Sequence, residues 1–224
     1  MSDEAVFSLI LTLKVLLVDV VLLIVFGTML VYYLMDEESC LKKIIYTLID
    51  LPLLFPPIAT GFLLLWLFRD SGFLGNLLSK INIHIVFGFC GLVTAGFVAS
   101  LSLFVKPLIA AVKQYPKNII EASYLSGKSK FTTFIFIILP SIKKVFIVSF
   151  ILSVSKILGE VGISLMLGGN IPFKTNTISI EIFSAFFNGD VDTAMNLSLI
   201  MFAVSFVLFI LLKVIENNFQ RDLF

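Results

Sequence analysis

Charged residues and cysteines are scarce in this chain, and their scarcity excludes several classes of protein. Only 14% of its 224 residues are Asp, Glu, Lys or Arg, whereas an ordinary soluble domain carries about 25%. The two cysteines, Cys40 and Cys90, are too few and too far apart in the sequence for a disulfide framework or a zinc site. The formal net charge of +1 gives no support for nucleic-acid binding. With 13 glycines and 7 prolines, the chain is also neither collagen-like nor low in complexity.

Apolar residues dominate instead. They supply 59% of the chain, including 24 phenylalanines, and the mean hydropathy is +1.09. We therefore predict an all-α membrane protein, because a helix satisfies its backbone polar groups inside a bilayer. About 20 mostly apolar residues are needed to cross the bilayer. Five stretches meet this condition: residues 6–35, 44–68, 83–105, 141–158 and 195–215.

The first apolar stretch is expected to remain in the membrane as a span. It is preceded by Asp3 and Glu4 instead of the basic residues of a signal peptide, and no small-residue cleavage site follows it. Two other apolar stretches, residues 131–139 and 178–187, are too short to cross a bilayer. We expect interfacial or re-entrant helices there. The whole chain, residues 1–224, is predicted to be a single transmembrane domain.

Polar and proline positions inside the predicted spans allow more than one interpretation. Pro52, Pro56 and Pro57 remove backbone donors and should kink or break the second span. A broken helix can line a transport pathway, although kinked packing alone also explains it. Asp19 lies near the middle of the first span and is expected either to bind a polar group of a neighbouring helix or to have a function of its own. Lys14 is expected to extend its amine outward.

The distribution of basic residues predicts the orientation. Lysine and arginine accumulate in cytoplasmic loops, and 11 of the 16 basic residues fall on one side of the five predicted spans: Lys42, Lys43, Lys106, Lys113, Lys117, Lys128, Lys130, Lys143, Lys144, Lys213 and Arg221. The C-terminus and the long connection between spans three and four are therefore expected in the cytoplasm, and the N-terminus outside.

That basic connection contains a short helix with recognisable ends. Pro116 suits the start of a helix and Gly127 suits its end, so we predict a helix over about residues 116–128. It is either an interfacial helix among lipid headgroups or a docking helix for a cytoplasmic partner. Gly127-Lys128-Ser129 looks like the end of a P-loop, but Ala122 stands where that motif requires glycine. We therefore expect no ATP binding by this chain.

The same stretch resembles the "EAA" signature of binding-protein-dependent ABC permeases. The signature residues are Glu121-Ala122-Ser123, followed by Gly127 and then Leu139-Pro140. Ser123 replaces the second alanine of the family pattern. The resemblance implies a MetI-like type I ABC importer permease fold, with about five transmembrane helices and a cytoplasmic coupling helix. It also implies that five residues serve ATPase coupling: Glu121, Ala122, Ser123, Tyr124 and Gly127.

A second resemblance points to one subfamily. Leu158-Gly159-Glu160-Val161-Gly162, followed by residues 169–177, is similar to a segment of molybdate permeases, and sulfate and tungstate permeases carry related versions. Phe173 departs from the glycine common in that family. The resemblance implies import of an oxyanion into the cytoplasm, with molybdate first and tungstate or sulfate as alternatives. We assign a translocation pathway or gate to six residues: Glu160, Gly162, Gly169, Asn170, Thr175 and Thr177.

The chemistry of these six residues separates donors from a structural carboxylate. Backbone N–H groups and the Thr175 and Thr177 hydroxyls can contact an anion in passing, although Gly168-Gly169-Asn170 can equally form a plain outer turn. Glu160 would repel a dianion. We therefore expect Glu160 to hold neighbouring backbone or Lys156, which lies one helical turn away.

The resemblance also implies partners. These are a second permease copy in a homodimer, a dimer of ABC ATPases that carries ATP and magnesium, an extracytoplasmic oxyanion-binding protein, and the lipid of the cell membrane. No cofactor or metal site is expected on this chain. An intramembrane enzyme is the rival interpretation, but the sequence has no catalytic motif and a single histidine, His84. A passive membrane subunit is the other rival.

Overall fold

The computed structural model describes the backbone of residues 3–36 and 39–221, and side chains within those ranges except Leu212 and residues 215–221. The side chain of Arg221, counted above as cytoplasmic, therefore lies outside the described residues. Helices account for nearly all regular structure in the described part. In chain order they are α1 Asp3–Leu34, α2 Cys40–Leu48, α3 Leu51–Leu54, α4 Pro57–Phe68, α5 Phe73–Ser79, α6 Phe89–Gln114, α7 Lys117–Leu125, α8 Lys130–Ser141, α9 Lys143–Leu158, α10 Gly162–Gly168, α11 Ile178–Phe187 and α12 Val191–Arg221.

Three helices are long and apolar enough to cross a membrane alone: Asp3–Leu34, Phe89–Gln114 and Val191–Leu211. Two bent pairs, α4 with α5 at 49° and α8 with α9 at 79°, raise the number to five if each pair forms one span. The prediction of an all-α membrane protein is confirmed. The short stretch 178–187 is a helix with those same bounds, and 131–139 lies within α8, the first arm of a bent pair.

The boundaries of two predicted spans were wrong. Residues 44–68 are not one helix, because the chain breaks before Leu51 and again at Phe55-Pro56, where the backbone is extended. The predicted break at the prolines is thus confirmed. The third span begins at Phe89 instead of residue 83, since Phe87 has a φ of 57° and Gly88 is extended. It continues past Pro107 to Gln114, so that Lys106 lies inside the helix and not in the connection.

Helix α6 forms the centre of the domain. It packs most extensively on α9, and also on α1 and α10. Glycine, alanine and serine along α6 allow this close approach, and Phe104, Leu108 and Ile109 are fully buried in its C-terminal half. In contrast, α12 exposes large apolar side chains such as Phe202 and Phe209, as expected of a helix that faces lipid.

Helix α10 lies against α4 through two glycines that have no room for a side chain. A Cβ on Gly61 would lie 2.8 Å from Met166 Cβ and 2.9 Å from the Cα of Ile163, and a Cβ on Gly162 would lie 2.7 Å from Pro57 Cβ. The Ile163 backbone cannot rotate away as a side-chain end does. The pair α4–α10 is therefore fixed by backbone contact.

We predict that Gly61→Ala lowers the unfolding free energy by about 1–3 kcal/mol, because the added methyl group overpacks the α4–α10 contact. Gly88→Ala is the matched control, since a Cβ there meets no atom within 4 Å, and it should cost less than about 1 kcal/mol. Thermal denaturation of both variants in detergent measures the difference. Equal losses in the two variants would contradict the packing explanation.

Candidate functional site

The helix in the basic connection is present and is shorter than predicted. Helix α7 covers Lys117–Leu125, with Pro116 at its N-cap position. Gly127 adopts a φ of +77° and ends it. The N–H groups of Ser126, Gly127 and Lys128 all donate back to carbonyls of the last turn, at 2.9–3.2 Å. A left-handed residue just beyond the last turn is the usual way to satisfy those carbonyls.

The outer face of α7 is exposed. Leu125 is 89% exposed, and Glu121 and Ala122 are exposed beside it. An apolar side chain this exposed contributes little to the packing of the described chain. The geometry fits a small ridge that inserts into a groove of a partner.

Ser123 lies on the inner side of the same helix and anchors it. Its hydroxyl lies 2.8 Å from the Thr133 hydroxyl on α8, and Thr133 donates to the Ser129 carbonyl at 2.9 Å. The Thr133 proton is thereby used, so Ser123 donates to Thr133. This bond gives the serine that replaces alanine in the signature a physical role: it ties α7 to α8.

Glu160 forms the centre of a second cluster, between α9 and α10. The carboxylate is 3% exposed; Oε2 lies 2.8 Å from Lys156 Nζ, and Oε1 accepts the Ile163 N–H at 2.9 Å. Both expected partners of Glu160, the neighbouring backbone and Lys156, are therefore confirmed. Glu160 lies just before the N-terminus of α10, where a negative charge is favoured, and its two contacts link α9 to α10.

The glycine-rich turn after α10 is held by its own residues. Gly169 and Asn170 have φ values of +77° and +48°. The Thr175 hydroxyl accepts the Ile171 N–H at 2.9 Å and donates to the Gly168 carbonyl at 2.7 Å. Phe173, the departure from the family pattern, also has a positive φ of 55°. The Thr175 hydroxyl stabilises this turn, while contact of the segment with an anion stays a prediction.

The Thr177 hydroxyl differs from that of Thr175. It is buried and has no hydrogen-bond partner among the described residues. Thr177 borders a cavity of about 10 Å³, together with Thr12, Gly96 and Glu160. This is about the space that one water molecule requires.

Asp19 is buried beside that cavity. It is fully buried next to Gly96 and Ile157. The polar partner expected from a neighbouring helix is not found, because both carboxylate oxygens lack a hydrogen-bond partner within the described part of the chain. Lys14 is exposed, as predicted for an amine that extends outward.

The structure adds an ion pair that sequence reasoning missed. Asp50, just before α3, accepts a hydrogen bond from Ser102 at 2.9 Å and forms a salt bridge with Lys106 on α6. The Lys106 amine also lies 4.0 Å from the ring centroid of Tyr46. Sequence reasoning ended span three at residue 105 and so placed Lys106 in a loop. The only available signal was one acidic and one basic residue near the ends of two adjacent spans that were predicted to lie on the same side of the membrane.

Comparisons with known proteins agree with this architecture. The family model described as "Binding-protein-dependent transport system inner membrane component" matches residues 23–223. "Molybdenum transport system permease protein ModB" of Azotobacter vinelandii is 34% identical over 82% of this chain and 81% of its own length. "Probable transport system permease protein NifC" of Clostridium pasteurianum is also 34% identical, over 79% of this chain, which spans only 62% of that relative.

Sulfate permeases and a solved transporter are similar as well. "Probable sulfate transport system permease protein cysT" of Marchantia polymorpha is 29% identical over 81% of this chain and 63% of its own length. A chain of a bacterial alginate ABC transporter, crystallised with an alginate-bound periplasmic protein, matches with a TM-score of 0.75 over 98% of this chain and 80% of that one. At 17% identity this match concerns the fold alone.

Proposed function

This chain belongs to the binding-protein-dependent transport system inner membrane component family, and on that premise we propose that it imports an oxyanion, most specifically molybdate, as one of two identical copies. It is the permease subunit of an ABC importer and not an enzyme. A separate dimer of ATPases would hydrolyse ATP with magnesium, and an extracytoplasmic binding protein would deliver the anion.

The exposed face of α7 is the single observation that supports this function most strongly. Leu125 projects from a helix that the Gly127 turn ends and the Ser123–Thr133 bond anchors. A rigid anchor matters because motion of the ATPase must reach α8 and the bent span behind it without being lost in a loose loop. Glu121 and Ala122 would contact the ATPase beside Leu125.

Orientation is part of the proposal. The basic residues near α7 would lie in the cytoplasm according to the positive-inside rule. The N-terminus would then lie outside, and the Glu160 cluster would lie in the outer half of the membrane. Delivery from outside and ATP-driven release inside would thus act at opposite ends of the same domain.

Two observations favour molybdate: the resemblance of one segment and the identity to one relative. Residues 158–177 resemble the molybdate permease segment, and the ModB relative is 34% identical. A sulfate permease at 29% identity makes sulfate one alternative, and the resemblance of residues 158–177 to tungstate permeases makes tungstate the other. All three ions are tetrahedral dianions, so the hydrogen bonds that would pass one also suit the others, and size would separate sulfate from the two larger metal oxyanions.

A dianion passes through a pathway only if each site along it binds the ion weakly enough to release it. Lys106 and Lys156 each face a carboxylate, Asp50 and Glu160 respectively. Both lysine charges are therefore balanced, and neither would trap a passing dianion. Because Gly162 holds α10 against α4 by backbone contact, the two helices would move as one rigid body and so gate the pathway.

The test is ATP hydrolysis by the complex of permease, ATPase and binding protein in liposomes, with molybdate, tungstate or sulfate at matched concentrations. We expect several-fold stimulation by molybdate and tungstate and little by sulfate. Stimulation by sulfate alone would replace the substrate and keep the permease function. No stimulation by any of the three ions would contradict the oxyanion proposal.

A further inference from the structure

The break between α3 and α4 lies at the level of the middle of α6. Before the break, Asp50 accepts a hydrogen bond from Ser102, which lies midway along the 26-residue helix α6. After the break, α4 begins at Pro57 against α10, whose Ile163 clusters with Ala99 of α6. Because α6 is about 39 Å long and the hydrocarbon core of a bilayer is about 30 Å thick, the midpoint of α6 lies inside the core. The break therefore lies at mid-membrane depth.

At this depth the break leaves two backbone carbonyls without donors. In a continuous helix, the carbonyls of Pro52 and Leu53 would accept the N–H groups of the residues four positions later. Those residues are Pro56 and Pro57, which have no N–H. No backbone N–H in the described part of the chain donates to either carbonyl. Irregular backbone of this kind occurs at membrane depth only where protein or water covers it.

The described part of the chain leaves the outer side of the break open. Leu53, Leu54 and Phe55 are 50%, 76% and 48% exposed, and Pro56 and Pro57 are exposed beside them. Lipid tails cannot donate hydrogen bonds to the two carbonyls. What covers this side is therefore a second copy of the chain or water.

A second copy would not bring the missing donors with the same segment. In a two-fold symmetric interface, the same surface of both copies meets itself. The N–H groups of Leu53, Leu54 and Phe55 already donate to carbonyls of the preceding turn, at 2.9–3.1 Å. The other three residues between positions 52 and 57 are prolines. The segment thus has no free N–H to offer its symmetry mate, and water is the donor that fits.

We propose that residues 52–57 line a water-filled section of the transport pathway at mid-membrane, and that the anion passes there with its hydration shell. This wall offers carbonyl acceptors and apolar side chains but no free N–H group, so water must donate the hydrogen bonds that the anion accepts. The proposal favours a broken helix along the pathway over kinked packing alone as the explanation of the prolines. It rests on the proposed function, because the pathway is the one between two permease copies.

Cysteine accessibility tests for water at this wall without a transport assay. Leu54→Cys is made in a chain that carries Cys40→Ser and Cys90→Ser, reconstituted with the ATPase in liposomes, and treated from both sides with a membrane-impermeant cationic methanethiosulfonate. A thiol reacts as its thiolate, which apolar surroundings disfavour. The matched control is Phe202→Cys, because Phe202 is 68% exposed at the middle of the span Val191–Leu211. We expect Leu54→Cys to react at least about tenfold faster than Phe202→Cys.

The charge of the reagent tests the composition of the wall. The cationic methanethiosulfonate is compared with its anionic sulfonate counterpart, and each rate is divided by the rate with free cysteine in solution. Because carbonyl oxygens attract cations, we expect Leu54→Cys to favour the cationic reagent at least about threefold. If Leu54→Cys does not fold, Leu53→Cys replaces it in both assays, because Leu53 is 50% exposed in the same segment.

Two results would overturn the proposal. Equal rates for Leu54→Cys and Phe202→Cys would exclude water from this side of the break; an oxidant-induced disulfide between two Leu54→Cys copies would then assign it to a protein interface, and no disulfide to lipid. Faster reaction with the anionic reagent would show that donors from another segment reach the anion there. A reactive Leu54→Cys without oxyanion-stimulated ATP hydrolysis would contradict only the oxyanion function, and normal stimulation with an unreactive Leu54→Cys would contradict only the wall, so the two proposals fail separately.

Discussion

Replacing Glu160 with alanine is expected to lower the unfolding free energy by about 3 kcal/mol and to abolish uptake. The carboxylate is 3% exposed and serves two partners at once, the Lys156 amine and the Ile163 N–H. Its removal leaves a cation and a backbone donor without their acceptor in a nearly closed site. The Lys156 side chain is 32% exposed, so water relieves part of that cost and keeps the estimate at the lower end for a buried pair.

Two comparisons separate charge from packing in this prediction. Glu160→Gln combined with Lys156→Gln removes both charges and keeps an acceptor for Ile163, so it should recover most of the stability lost in Glu160→Ala. Asp70→Ala breaks the exposed pair with His84, whose side chains are 74% and 58% exposed, and should cost less than about 1 kcal/mol. Thermal denaturation in detergent measures the loss of stability in each variant. A loss in Asp70→Ala as large as that in Glu160→Ala would refute the role of burial.

Leu125→Asp is expected to reduce anion-stimulated ATP hydrolysis and uptake at least about 100-fold. Hot-spot side chains at protein interfaces contribute about 2–4 kcal/mol, and here a charge would also enter the proposed apolar groove of the ATPase. The permease itself should remain as stable as the unaltered chain, because Leu125 is 89% exposed. Co-purification with the ATPase, uptake into liposomes and thermal stability are measured together.

The matched control is Leu125→Met, which keeps an apolar side chain of similar volume and should retain at least about a third of the activity. A Leu125→Asp variant that still binds the ATPase and transports normally would remove α7 as the coupling element. A variant that loses stability along with activity would instead show that Leu125 supports the permease fold.

Ser123 and Leu125 belong to one sequence signature but point in different directions, which the signature itself does not show. The signature treats residues 121–127 as one coupling unit. The structure divides them by direction: Ser123 is buried against Thr133, Tyr124 is partly exposed, and Leu125 projects outward. Helical spacing predicts that these residues face different sides, but it does not tell which side faces the membrane.

Composition and the spacing of nearby residues were enough to predict several features of this protein from its sequence. The membrane location, the break at Pro56-Pro57, the helix that Pro116 and Gly127 delimit, and the Lys156–Glu160 pair depend on hydropathy or on residues within one turn, where backbone geometry fixes the contacts. Only the tertiary structure decided the Asp50–Lys106 pair, the burial of Asp19 without a hydrogen-bond partner among the described residues, and the two hydrogen bonds of the Thr175 hydroxyl. These features depend on how helices distant in the sequence pack against each other, and in a bilayer many apolar faces fit together equally well.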